Sequence, residues 1–376
     1  MSVSYRTFDT AAAARPGRRW RLLLPLALVV VLALVWTAFW FYAAARAQTE
    51  LAAWNQREAA AGRVLSCATQ EFGGFPFRFE LRCLAPELRL TKAHVSLKTA
   101  DMHAAVQVYQ PTLAIAEFTG PLDAADDNGH AVAVDWTLAQ MSVRVRPSAP
   151  PERVSLVLDQ PAVTRNGGQE TVARATHAEL HLREAPRLAS EPPAFDIALD
   201  LAQALLPVVP RVPNAPIDAT LAGTLHGLAD FSPRPWQQLL RDLQAANGRL
   251  DVAQARIRQG NVLMVGNGTL HLTARGALDG ELQLTVAGIA DLMTALGLDK
   301  AVGQASQNAL DRVAPGLDLN RLLGSHGNAA LATMGANMLG QPTQLEGREA
   351  VTLPLRFTDG AVFLGPMKVG EVAPLF

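Results

Sequence analysis

Residues 66–84 read SCATQEFGGFPFRFELRCL, and the second half of this stretch decides the fold class. Phe77, Phe79, Leu81 and Cys83 alternate there with Arg78, Glu80 and Arg82. A period of two belongs to a strand with one apolar and one polar face, not to a helix. Gly73, Gly74 and Pro76 supply the permissive and restricted backbone of a tight reversal. The stretch therefore reads as a hairpin turning near Phe75. In a hairpin symmetric about that residue, Cys67 faces Cys83, Thr69 faces Leu81 and Glu71 faces Phe79. Paired residues of an antiparallel ladder share a face, so both sulfurs would point to the apolar side. A structural Cys67–Cys83 disulfide is expected, with two free thiols as the alternative. The C-x-x-C spacing of a redox-active pair is absent.

Upstream, LLLPLALVVVLALVWTAFWFY at 22–42 carries no charge. As a helix it is about 31 Å long, enough for the hydrocarbon core of a bilayer. Trp20 marks one end, and Trp36, Trp40 and Tyr42 the other, as interfacial aromatics do. Arg6, Arg15, Arg18, Arg19 and Arg21 precede the run, against the single acidic Asp9. The positive-inside rule then makes 1–21 a cytoplasmic basic segment, 22–42 a transmembrane anchor, and everything beyond it exported. The competing reading is a cleaved signal peptide, with ARA at 45–47 as its site. Export under either reading permits the disulfide. Residues 43–63, rich in Ala, Glu, Gln and Arg, predict a helical stalk that Gly62 ends.

Downstream, alternation and β-branched residues dominate 64–205, an N-terminal β-rich part broken by turns such as DDNG at 126–129 and NGG at 166–168. The Pro-rich LPVVPRVPNAP at 206–216 is the best internal boundary. A C-terminal β-rich part with helices fills 217–376. Within it PRPWQQLLRDLQAAN predicts an amphipathic helix with Trp236, Leu239, Leu240 and Leu243 on one face and Gly248 past its end. Leu270, Leu272 and Ala274 share parity with Leu282, Leu284 and Val286, which favours a three-residue turn Leu278-Asp279-Gly280 over a two-residue one. Residues 288–340 read as helices, and the end of the chain returns to strands around Asp359-Gly360. The expected fold is α+β and β-dominated. It has an N-terminal transmembrane helix, then an elongated, curled antiparallel sheet with a few helices packed on it.

Composition narrows the function classes. With 33 basic and 34 acidic residues, neither nucleic acid nor an acidic tail is indicated. HAELH at 177–181 places His177, Glu179 and His181 on one strand face but is not H-E-x-x-H. A solvated face is expected there, with a weak surface metal site as the alternative. DAADDNG at 123–129 lacks calcium-loop spacing, and VGNG at 265–268 has no Lys-Ser/Thr for a phosphate. The Ser325-His326 pair sits in a Gly-flanked break between helices. No catalytic residue, cofactor or metal is expected, and an exported hydrolase is the weakest alternative.

The anchor, the GFPFRFEL-R-C hairpin with its upstream cysteine, and LPLRFTDGAVFLGPMKVGEVAPL at the C-terminus resemble the proteobacterial envelope proteins catalogued as domain of unknown function 2125. More distantly, GRLDVAQARIRQGNVLMVGNGTLHLTARGALDGELQLTV is similar to the strand–Gly-turn–strand pattern of the AsmA-like superfamily. That resemblance implies a single-pass inner-membrane protein facing the periplasm, with a curled sheet, an apolar groove and phospholipid as its ligand. Phe77, Phe79, Leu81, Leu270, Leu272, Leu282 and Leu284 are the groove candidates. The role implied is binding or passing lipid, or supporting envelope assembly, without covalent chemistry. A scaffold for other envelope proteins is the alternative.

Overall fold

The computed structural model describes residues 19–146, 151–165, 170–186, 193–207, 215–228, 234–295, 340–365 and 367–376. Helix α1 (Arg19–Ala60) is uninterrupted, so the expected anchor and stalk are one rod. Its length and composition suffice to cross a membrane. It stops where Gly62 takes φ +91°, a left-handed conformation that carries no Cβ penalty in glycine.

Strands β1 (Arg63–Ser66) and β2 (Thr69–Gly73) follow, and then three units of one design. The first holds β3 (Arg78–Leu84), β4 (Glu87–Leu90), β5 (Val95–Lys98) and β6 (Asp101–Gln107). The second holds β7 (Gln110–Thr119), β8 (Leu122–Asp126), β9 (Ala131–Asp135) and β10 (Leu138–Arg144). The third holds β11 (Arg153–Asp159), β12 (Ala162–Arg165), β13 (Glu170–Arg174) and β14 (His177–Glu184). In each unit the outer two strands join a large sheet, while the inner hairpin joins a 7-stranded one ordered β1-β4-β5-β8-β9-β12-β13.

Two-residue corners carry the chain between the sheets. Ala85-Pro86, Gly120-Pro121 and Gln160-Pro161 lead out of the large sheet. Proline suits such a break because it has no N–H to withdraw from a ladder. The return corners use threonine. The Thr137 hydroxyl donates to the Asp159 carbonyl at 3.2 Å and that of Thr176 to Ala202 at 3.1 Å, while Thr99 donates to Thr119. Sequence alone does not disclose this internal repeat. Its marks are a proline in one corner and a threonine in the other, at spacings that loop lengths blur.

Beyond the third unit every strand among the described residues enters the large sheet. β15 (Ala194–Ala204), β16 (Ile217–His226), β17 (Arg249–Gln259), β18 (Val262–Leu272) and β19 (Leu278–Ala287) form a meander, with α2 (Trp236–Ala245) between β16 and β17. After α3 (Ile289–Ala295) come β20 (Gln341–Leu345), β21 (Arg348–Thr358), β22 (Ala361–Leu364) and β23 (Met367–Glu371). Among the described residues the large sheet has 16 strands, and β15 pairs with β16 across the Pro-rich segment. The architecture is that expected: β-dominated, antiparallel, with an N-terminal apolar helix. Most of 206–216, of the predicted helices after 295, and the NGG turn at 166–168 lie outside the described residues.

Clusters of buried apolar side chains lie at the C-terminal end. Val286, Ile289, Val351, Leu353 and Leu364 form a buried cluster there, with Leu284 and Leu292 against it. Helix α3 thus covers one end of the sheet. In α2, Leu239, Leu240 and Leu243 are half-buried, but Trp236 is exposed.

Two expected registers are corrected. The Cys67–Cys83 disulfide is present, with Cα atoms 5.3 Å apart, but β2 and β3 are not symmetric about Phe75. Gln70 faces Cys83 and Phe72 faces Leu81. The Arg78 N–H closes a wide turn onto the Gly74 carbonyl at 3.1 Å, which moves the centre of reversal along the chain. Cys67 lies in the corner between β1 and β2, so the bridge pins that corner instead of a ladder pair. The second correction concerns β18 and β19, which reverse through residues 273–277, pairing Leu272 with Leu278. Asp279 and Gly280 lie inside β19. The even-with-even parity nevertheless holds, because the true turn also contains an odd number of residues.

Candidate functional site

Cross-strand partners share a face, so a row of residues can be followed around the large sheet. From Leu81 the row runs through Ala104, Ala116, Met141, Leu156, Leu180, Leu199 and Leu221. It continues through Ala255, Gly266 and Leu284 to Leu353. The neighbouring row starts at Phe79 and passes Val106, Ala114, Val143, Val154, Leu182 and Ile197. Gly223, Val252, Gly268, Leu282, Leu355 and Leu364 complete it. Neither row contains a polar side chain. A one-residue bulge in β17, present in its pairing with both β16 and β18, keeps Val252 and Ala255 on this face although they are three residues apart.

The structure therefore brings four of the groove candidates, Phe79, Leu81, Leu282 and Leu284, onto one continuous apolar face. Leu270 belongs to it through a further row with Phe195, Leu225 and Leu250, and Leu272 lies two residues on. Phe77 does not. It precedes β3 at the hairpin tip, with its ring 6.3 Å from that of Trp36. The middle of the face, Leu156, Leu180, Leu199 and Leu221, was missed, although SLVLD, AELHL and IALDLA carry its alternation.

Coverage of this face is uneven. Trp40 stacks on Phe79 at 5.7 Å at one end, and α3 caps the other. Between them the leucines are half-buried, and Leu199 and Ile257 keep 37% and 38% exposure.

The opposite face is a ladder of charges. Arg183 donates to Asp196 at 2.6 Å, Thr224 to the other Asp196 oxygen at 3.0 Å, and Thr269 to Asp251 at 3.1 Å. Asp159, His177, Glu179 and His181 lie on this face too. His177 bridges Asp159 through Nδ1 at 2.6 Å and Glu179 through Nε2 at 2.7 Å, while His181 Nε2 meets the second Glu179 oxygen at 2.8 Å. The Glu179 and Asp159 carboxylates hold the His177 pKa above the usual imidazole range, and His177 and His181 hold that of Glu179 below the usual carboxylate range. No cluster able to hold a metal occurs among the described residues. A hollow of ≈ 420 Å³ lined by Arg153, His181, Arg183, Asp196 and Thr224 also opens on this polar side. In DAADDNG, Asp126 accepts the Asn128 and His130 amides at 3.0 and 2.9 Å, which is turn chemistry. Hydrogen bonds from His130 hold its carboxyl down to about 2. The Ser325-His326 pair lies outside the described residues.

No curated protein and no solved structure matches the chain. One family model does, over residues 40–373, described as an uncharacterized protein conserved in bacteria. That span takes in the end of the apolar helix, the disulfide-pinned hairpin, all three units and the closing strands, and the chain belongs to this bacterial family, DUF2125.

Proposed function

We propose that the protein is held in the inner membrane by α1, faces the periplasm, and binds or passes lipid along the apolar face of its large sheet without covalent chemistry. One observation carries this reading: two adjacent rows, from Phe79 and Leu81 to Leu282 and Leu284, that hold no polar side chain over their whole course. A sheet face of this kind needs an apolar cover. Acyl chains laid along it would supply about 25 cal/mol per Å² removed from water. The disulfide supports an oxidising compartment, and the likeness to AsmA-like strand patterns points the same way.

The test is mass spectrometry of lipids that co-purify with the full-length protein in mild detergent, for wild type and for Leu199→Arg. Leu199 is partly exposed, so a charge there can reach solvent, whereas the same change at Leu284 would strike the packed C-terminal cluster. Phospholipid on the wild type and its loss from a folded Leu199→Arg protein are expected. A wild type that carries no lipid, or a folded variant that keeps it, overturns the reading.

A further inference from the structure

We infer that the tip of the β2–β3 hairpin is itself a membrane-contacting element, seated in the lipid interface beside α1. Its position follows from contacts to the helix. Trp36 Nε1 donates to the Pro76 carbonyl at 3.0 Å and Trp40 Nε1 to that of Arg78 at 3.2 Å. Phe75 packs on Trp40 and Phe41, with centroids 5.4 and 5.9 Å apart. Arg46 is the first charge after the apolar run. At 1.5 Å per residue, Trp40 lies about 9 Å and Trp36 about 15 Å below it along the helix axis. The tip therefore hangs back into the zone where the helix is wholly apolar.

The side chains presented there fit lipid. Phe75 is 49% exposed and Phe77 63%, a poor arrangement in water and a favourable one among acyl chains and headgroups. Tyr109, 75% exposed, joins them, because the adjacent Val108 N–H donates to the Phe77 carbonyl at 3.0 Å. Charge begins only with Arg78, whose guanidinium pairs with Glu80. An aromatic tip followed by arginine matches the polarity profile of a bilayer boundary. This inference does not need lipid to move along the sheet. It needs only that α1 sits in a bilayer.

Its test uses the full-length protein in nanodiscs of phosphatidylethanolamine and phosphatidylglycerol. Photoreactive p-benzoylphenylalanine replaces Phe77, Tyr109 or, as the distant control, the exposed Asn267 in β18. The Cys67–Cys83 bridge, checked by non-reducing mass analysis, confirms that each variant has folded. Lipid adducts at positions 77 and 109 and none at 267 are expected. Adducts at 77 and 109 confined to protein, or equal lipid labelling at all three sites, overturn the inference. Wild-type lipid retention is read separately, so failure of the tip and failure of the lipid-binding role are distinguishable.

Discussion

His177 shows how much one side chain on the polar face can tie together. Both ring nitrogens meet carboxylates, and both can donate at once only in the imidazolium form. A raised histidine pKa means stabilisation that is complete below the ordinary value of 6.5 and lost as pH rises through the folded one. The lowered Glu179 pKa works in the other direction, its contribution present above 4.5 and lost as pH falls through the folded value. The cluster is therefore at full strength between those two ordinary values. In His177→Gln, the thermal midpoint should lie furthest below wild type in that window, with the gap closing as pH rises past it. A gap that stays constant with pH would show that the ion pairs contribute nothing. The HAELH spacing exposes the shared face of these residues, but Asp159, the partner from β11, is visible only once strands are paired.

At the scale of elements, the corners set the architecture. Each threonine corner is held by a backbone N–H and a hydroxyl converging on one carbonyl, as at Thr176, where both donate to Ala202. Replacing Thr176 by Val keeps the shape and removes one hydrogen bond, a loss of about 1 kcal/mol. Hydrogen exchange should then quicken at the β13–β14 corner and spare the β21–β22 turn. Unchanged exchange at the corner would deny the hydroxyl a structural role. The disulfide does the same task covalently at the first corner, where closing so short a loop is worth about 3 kcal/mol in the chain-entropy model. Strand identity was legible because alternation is local. The two-sheet alternation was not, since a bent strand and a strand–turn–strand share the same pattern until pairing is known. The Asp279-Gly280 dipeptide misled for a related reason. It has the composition of a turn, yet the ladder with β18 runs straight through it and the ladder with β21 begins at Gly280.

For the whole molecule, the order of the large sheet makes stability a matter of neighbours. Its strands lie side by side in chain order, each paired only with its immediate neighbours, so a defect in one strand is felt by the two beside it and weakly beyond. Leu180→Ala in β14 should raise amide exchange in β11, β14 and β15 while leaving β19 and β21 protected. Uniform loss of protection would mean a single cooperative body. The apolar face was legible in pieces at both ends, from Phe79 and Leu81 and from Leu282 and Leu284. Its continuity was not, because it depends on every intervening register and on the bulge within β17.

The repeated unit has a consequence for how such a chain can change over generations. Each unit contributes two strands to the large sheet and enters and leaves it at equivalent corners. Gain or loss of one unit would shift the C-terminal cluster relative to α1 by two strand spacings, about 10 Å. Neither the hairpin seated on α1 nor the cluster under α3 would have to be rebuilt. Distance from α1 is thus a quantity that varies in whole steps, and relatives of different length should differ by multiples of one step.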